Sequence, residues 1–540
     1  MIVKYFTAVL SQVALSIAIT SALLLMAWQH AHAQIEQTER FEIEQKNADE
    51  YFTVISLEED GLVLVRDKDK YDGNKQLWQV IVLDTNLKEQ KNFDLAVNHR
   101  YSLLGYEVDD ELLYLLFRTG ETTRNSLQLI EVNTTSGEET ARYEIDPELD
   151  FRITHFNKVS RNIILGGYVT NEPAILLFEP ADKSMKVIPG FFQKDNELVD
   201  LRVNENETFN VVLIDRSLRS DRKLVFRTYD ASGNLLLEDV VGLDEDKSLQ
   251  HSLTTTLKRE ELLLLGTWGD KQGKQSLGFF SLSVDPFSQQ KVNYTHFGML
   301  ENFLDYLNPK REEKIKESTR DAIANERKPS FSSYVMPFRI QETPQGFVLL
   351  AEVYDPSSTT SPYYNSPYGR PYYANPYYYY NPFWPGYYPG MRMYRPYGYG
   401  DPTRSNDNVK LYETVAIGFS ADGKVSWDQS IVLDEMKRPA LEQVSDFYTD
   451  DENLHFLYKK ESDLRIKSVS LEEGTPTEAT EKIRLMEPSE EVRSEKEVED
   501  GVRHWYDNTF YVWGYHTVRN PEKKENRVRD VFYINKVVVN

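Results

Sequence analysis

The sequence predicts an all-β chain folded as a β-propeller of about eight four-stranded blades, with seven or nine blades and a pair of stacked sandwiches as alternatives. Three observations predict it. A short apolar run recurs about every 50 residues, a polar turn recurs at a fixed place behind it, and the chain ends lack one strand that the amino end can supply.

The apolar run appears first as Leu62-Val63-Leu64-Val65. It returns as Leu112 to Phe117, Ile163 to Leu165, Val211 to Ile214, Leu262 to Leu265, Phe347 to Leu350, Leu454 to Tyr458 and Phe510 to Trp513. The starts lie 50, 51, 48, 51, 85, 107 and 56 residues apart, and the two long intervals hold compositionally foreign segments, 298–330 and 355–408. Without those 33 and 54 residues the long intervals become 52 and 53, so the period holds through eight copies. A strand with one wet face alternates apolar and polar residues, whereas a strand covered on both faces reads as a continuous apolar run. Leu112-Leu113-Tyr114-Leu115-Leu116-Phe117 is of the second kind, and it is too short and too rich in β-formers for a buried helix.

Behind each run come a polar turn, another strand, a second turn and a more polar strand. The second turn reads Leu83-Asp84-Thr85-Asn86, Val132-Asn133 with Ser136-Gly137, Tyr229-Asp230-Ala231-Ser232-Gly233, Ser420-Ala421-Asp422-Gly423 and Glu472-Glu473-Gly474. Asp, Asn and Gly tolerate the positive φ angles of tight hairpins. Four strands per repeat, with the second sandwiched between neighbours, is the pattern of a propeller blade. The last repeat has little chain left for an outer strand, and Arg40 to Glu44 can supply it, closing the ring by pairing the two ends.

Residues 1–33 read as an export signal: Lys4 is the sole charge, an apolar stretch runs to about Trp28, and Ala31-His32-Ala33 is a small-x-small cleavage pattern. An uncleaved anchor is the alternative, since the stretch is long enough to cross a bilayer. Residues 34–540 then form the propeller, with no second stretch of that length. Losing Lys4 takes the net charge from −24 to −25, and an acidic surface repels phosphate backbones, which excludes nucleic acid as the expected partner. The chain has no cysteine, which excludes disulfides, thiolate metal sites and cysteine nucleophiles.

The insert 298–330 is the helical segment. Leu300, Phe303, Leu304 and Leu307 have helical spacing, Asn308-Pro309 breaks the pattern and opens a second helix, and Pro329 stops it. The insert 355–408 is different in kind. Residues 361–400 contain fourteen tyrosines and eight prolines, no Asp, Glu or Lys, and three arginines. Proline blocks ladder hydrogen bonds and the lack of Leu, Ile and Val denies a core, so an extended, disordered loop is expected between a strand ending near Val353 and one starting near Leu411. Tyrosine offers wide contact area at low entropic cost and faces on which sugars or arginine stack. The binding candidates are therefore Tyr372, Tyr373, Tyr377, Tyr378, Tyr379, Tyr380, Trp384, Tyr387 and Tyr388, with self-association as a further use.

Taken together, the repeat resembles that of the broad class of bacterial exported β-propellers, over nearly all of the chain after residue 33. The Trp-Asp, paired-glycine and Tyr-Trp-Thr-Asp marks of named propeller families are absent. Asp422-Gly423-Lys424-Val425-Ser426-Trp427 is similar to the docking mark of quinoprotein-like blades and to a broken Asp-box; it occurs once, so neither cofactor nor glycosidase activity is carried over. The serine-elbow, zinc-helix, phosphate-loop and dinucleotide motifs are absent as well. His99, His155, His251, His296, His455, His504 and His516 form no short-spaced ligand pair, and His455 reads as a hydrogen-bonded core residue. Asp67, Asp69, Asp72 and Gly73 faintly match a calcium loop, but Tyr71 stands at a ligand position and a solvated hairpin tip is expected. No metal, no cofactor and no catalytic residue is assigned. The expectation is a non-enzymatic binding or scaffolding propeller of the periplasm or cell surface, partnered by an envelope protein or glycan. The alternative is a carbohydrate-active enzyme with acids gathered at the axial mouth.

Overall fold

The computed structural model describes residues 35–46, 51–119, 126–356 and 409–540, apart from 171, 218–219, 256–261, 272–274, 285–289, 291, 439–440, 451, 473 and 524–526, and apart from the side chains of 356 and 497–499. Every apolar run becomes the second strand of a four-stranded antiparallel sheet, and there are eight such sheets among the described residues. Blade 1 spans 53–98, blade 2 101–145, blade 3 151–188, blade 4 196–242, blade 5 247–296, blade 6 334–438 and blade 7 445–482. Blade 8 takes three strands from 491–539, and its outermost strand is Ile35–Glu44. The chain is an eight-bladed β-propeller.

The core explains why the runs are apolar throughout. Among the described residues the buried apolar side chains fall into eight clusters, each lying between two blades rather than within one. Successive residues of a strand point to opposite faces. Leu349 and Ala351 therefore pack toward blade 5, while Val348 and Leu350 pack toward blade 7. Each fully buried side chain of this size contributes about 1.5–3 kcal/mol relative to exposure. The eighth cluster joins Phe52, Leu62 and Leu64 of blade 1 and its lead-in to Trp513, Phe532 and Ile534 of blade 8, which closes the ring.

The recurring Asp/Asn–Gly turn has a packing duty too. The turn between the third and fourth strands of blade 4 seats Gly233 (φ +80°) against Ile188 of blade 3, and a Cβ there would overlap the Ile188 side chain. In blade 6 Gly423 (φ +78°) sits against Ser281 of blade 5, whose hydroxyl donates to the Gly423 carbonyl. These turns thus need glycine both for the left-handed backbone and for the close approach.

Closure at the ends is specific in register. Phe41 pairs with Ile534 and Ile43 with Phe532. The Arg40 guanidinium lies 4.4 Å from the ring centre of Tyr533, 2.7 Å from Glu42 and 2.8 Å from Asn535.

The helical insert departs from its expected form. Pro309–Ala324 is an α-helix with Pro309 in its first turn, and the Asn308 side chain accepts from the Arg311 amide at 3.1 Å. Residues 300–307, however, form turns rather than a helix. Their helical spacing reflects burial alone: Leu300, Phe303 and Leu304 fill the cluster between blades 5 and 6. Asp428 of blade 6 accepts from the amides of Glu301 and Asn302 at 2.8 and 2.6 Å, and an isolated eight-residue stretch is too short to propagate a helix of its own. No helix among the described residues is long and apolar enough to cross a membrane.

Deleting residues 35–44 is expected to remove several kcal/mol of burial, of the order given by two or three partly or fully buried apolar side chains. It also exposes the edge of Val528–Val539. Thermal melts and sedimentation velocity should show a lower melting temperature and concentration-dependent association; an unchanged, monomeric protein would contradict this closure.

Candidate functional site

A propeller's first strands line its axis, and here they carry a repeated irregularity. In blades 2 to 6 the first strand bulges once, between Leu103 and Gly105, Ile153 and His155, Leu198 and Asp200, Leu249 and His251, and Pro337 and Arg339. A bulge inserts one unpaired residue and re-aims the side chains beyond it. The residue after the bulge is polar in four successive blades: His155, Asp200, His251 and Arg339. Asp446 and His504 continue the series in the first strands of blades 7 and 8.

Three of these groups, Asp200, Arg339 and Asp446, reach across to the next blade. Asp200 accepts from both the amide and the hydroxyl of Thr254 in blade 5, at 2.7 and 2.6 Å. Arg339 lies 3.2 Å from Asp446 of blade 7 and donates to the Phe447 carbonyl at 2.6 Å. Asp446 in turn accepts from the His504 amide of blade 8 at 2.9 Å. Lys158 of blade 3 pairs with Asp109 of blade 2. From the blade 4 loop, Arg222 donates to the Lys247 carbonyl and to Ser248 of blade 5, each at 3.1 Å. Asp200, Arg339 and Asp446 are therefore clips between blades. Burial pushes His155 down to about 3 and His504 down to about 4, so both rings are neutral at neutral pH.

The densest ionic cluster lies between blades 6, 7 and 8. Lys459, fully buried, pairs with Glu495 and Asp500, and Asp500 also takes Arg438 at 2.5 Å. Burial opposes the charge of Asp500, but Lys459 and Arg438 hold its carboxyl below the usual range. Two cations and two carboxylates form a network in which every charge has a partner. Beside it, Glu352 of blade 6 accepts from the amides of Val444 and Ser445 at 2.9 and 3.2 Å. Burial pushes its carboxyl up to about 8, against the pull of those two donors, so it is mostly protonated at pH 7.

A row of rings completes this sector. Tyr448 stacks on His504 at 5.6 Å and on His455 at 6.1 Å, and His455 Nδ1 lies 2.6 Å from the Ser468 hydroxyl. His455 is the hydrogen-bonded histidine that its apolar strand implied.

Other sequence candidates lie elsewhere. Asp69 to Asp72 form an exposed hairpin tip. Trp427, from the stretch that resembles a docking mark, packs against Gly418 in its own blade, where a Cβ would overlap the indole. Among the described residues no group of three His, Asp or Glu side chains is placed to hold a metal ion. Tyr372, Tyr373, Tyr377, Tyr378, Tyr379, Tyr380, Trp384, Tyr387 and Tyr388 lie outside the described residues, as do 1–34. The strands that flank the tyrosine-rich segment are neighbours in blade 6, paired down to Pro356 and Val409.

The axial series escapes a reading of the sequence because its members are chemically unlike one another. The signal that could have found it is spacing: His155, Asp200 and His251 lie 45 and 51 residues apart, and Arg339 precedes Asp446 by 107, the same interval that separates Phe347 from Leu454.

No family model matches the chain, and no curated protein matches it. Solved structures do. A polysaccharide lyase, Uly1, is 10% identical with a TM-score of 0.37, over 93% of this chain and 99% of that one. The propeller domain of the Trilobed protease from Pyrococcus furiosus is 10% identical with a TM-score of 0.31, over 81% of this chain and 93% of that one. The Dos1 propeller is 10% identical with a TM-score of 0.33, over 59% and 84%. Likeness at this level carries no functional argument.

The buried charges make two effects measurable. Lys459→Met leaves Glu495 and Asp500 without their amine and should cost about 3–5 kcal/mol in urea unfolding, with Asp500→Asn restoring part of it. Glu352 has the opposite sign of pH dependence to a paired carboxylate. Below its ordinary value of 4.5 both folded and unfolded states are protonated, and between there and about 8 only the folded state holds the proton, so stability falls as pH rises. Urea melts should show the advantage of Glu352→Gln over the natural protein growing from about pH 5 to about pH 8 and levelling above it.

Proposed function

We propose that this chain is a binding or scaffolding propeller of the cell envelope that acts through its surfaces rather than through axial catalysis. The observation that carries the reading is the engagement of three ionisable groups on the first strands: Asp200, Arg339 and Asp446 each hold the neighbouring blade. An axial acid for glycoside chemistry needs a carboxylate free to meet substrate. Residues committed to interblade hydrogen bonds serve rigidity instead, and a rigid ring presents broad faces and edges to a partner. The apolar, Lys4-only leader and the Ala31-His32-Ala33 pattern support export.

The tyrosine-rich segment supplies the chemistry of an adaptable contact, with fourteen tyrosines and three arginines in 361–400 and no acid. Its local charge of +3 also contrasts with the −24 of the whole chain, which suits an acidic protein or an anionic glycan.

A pull-down from envelope extracts with the chain from residue 34, with and without 361–400, tests this. Capture of a protein or glycan by the ring supports the reading, and loss of capture on deletion locates the contact in the segment. Turnover of a polysaccharide panel that is abolished by Asp200→Asn or Asp446→Asn would overturn it in favour of an axial enzyme.

A further inference from the structure

Apolar exposure on this molecule is concentrated. Among the described residues eleven large apolar side chains are exposed, and five of them, Val187, Phe192, Leu235, Leu236 and Val240, lie on or beside the adjoining outer strands of blades 3 and 4. The loop that follows the outer strand of blade 3 is tied to the outer strand of blade 4: Arg227 of blade 4 donates to the Gly190 carbonyl in that loop at 2.7 Å, lies over Phe191 at 5.3 Å, and pairs with Glu238 on the outer strand at 2.7 Å.

The outer strand of blade 4, Leu235–Gly242, is also an open edge. It pairs with Lys223–Tyr229 on one side, and among the described residues no strand lies on the other. Natural sheets blunt such edges with charge, proline or short length. Four other blades conform: Glu138–Ile145 reads EETARYEI, Pro476–Lys482 reads PTEATEK, and the outer strands of blades 3 and 5 are five residues long. Leu235–Gly242 reads LLLEDVVG, with Leu236 58% exposed.

We propose that this edge takes a fifth strand from a partner protein, an extended segment with apolar arms and a lysine or arginine at its centre. This names a partner class for the binding reading and rests on it. Added strands gain affinity from main-chain hydrogen bonds and specificity from side chains on the two faces. Here the side chains offered are apolar at both ends, and Glu238 and Asp239 stand in the middle, Glu238 with 42% of its side chain exposed beside Arg227. A second copy of the same strand is disfavoured. Antiparallel pairing centred on the strand sets the acids of one copy opposite those of the other, and directly opposed like charges destabilise a sheet. The net charge of −24 on each chain adds long-range repulsion. A cationic centre meets the same acids with the favourable sign.

The probe is a fluorescein-labelled nonapeptide of alternating threonine and valine with a central lysine, titrated by fluorescence anisotropy into the full chain at low salt. Binding is expected, with the central-glutamate peptide about tenfold weaker. Leu236→Lys and Val240→Lys, both on exposed positions and expected to melt as the natural protein does, should each weaken the lysine peptide about fivefold or more by the same charge logic. Equal affinity for the two peptides overturns the proposal, as does unchanged binding by both variants. Dimerisation that Leu236→Lys abolishes in sedimentation overturns it in favour of a second copy. If Leu236→Lys captures envelope partners as the natural chain does, this edge is excluded while the binding reading stands.

Discussion

Burial of each second strand on both faces is the constraint on which the rest of the molecule depends. A strand such as Leu112–Thr119 has no wet side, so the blade that contains it cannot be stable alone and must be covered by a neighbour on each side. Repetition passes that demand along the chain until only a closed ring satisfies it. The eight apolar clusters are the places where it is met, and the one between blades 8 and 1 is where it would fail without closure.

Around this apolar scheme runs a polar one. The bulges in the first strands of blades 2 to 6 turn one side chain per blade out of the alternating pattern, and where that residue is Asp200 or Arg339 it reaches the next blade. Apolar contact fixes how closely blades approach but tolerates sliding, whereas these hydrogen bonds fix register. The ionic cluster of Lys459, Asp500, Glu495 and Arg438 does the same in a sector where the first strand of blade 8 is irregular between Lys496 and Gly501. Glu352, neutral in the fold, caps the start of the first strand of blade 7.

Much of the architecture is legible because burial leaves a simple trace in composition. The runs from Leu62 to Trp513 are all second strands, and Arg40 to Glu44 lies in the closing strand, since strand length and apolar continuity are local properties. Residues 300–307 mislead because helical spacing and irregular burial look alike when only Leu300, Phe303 and Leu304 are counted; what decides between them is Asp428, more than a hundred residues away. The axial series is illegible for a related reason. A bulge shifts the side-chain alternation by one residue, so Asp200 and His155 look like random polar interruptions until the register is known. The exposed edge at Leu235–Gly242 is hidden differently, because its apolar residues read like any other strand's until their exposure is seen.

The closing strand also sets an order of events in folding. Ile35–Glu44 finds its partner, Val528–Val539, nearly five hundred residues later, with the strands of seven blades between them. Closing so long a loop costs little more entropy than closing a shorter one, because that cost rises only with the logarithm of length, but contacts this distant form late and slowly. During the wait the strand is exposed to every unfinished edge it meets. Its sequence, IEQTERFEIE, answers that hazard with four glutamates and an arginine, which keep an unpaired strand in water until its own neighbour is made.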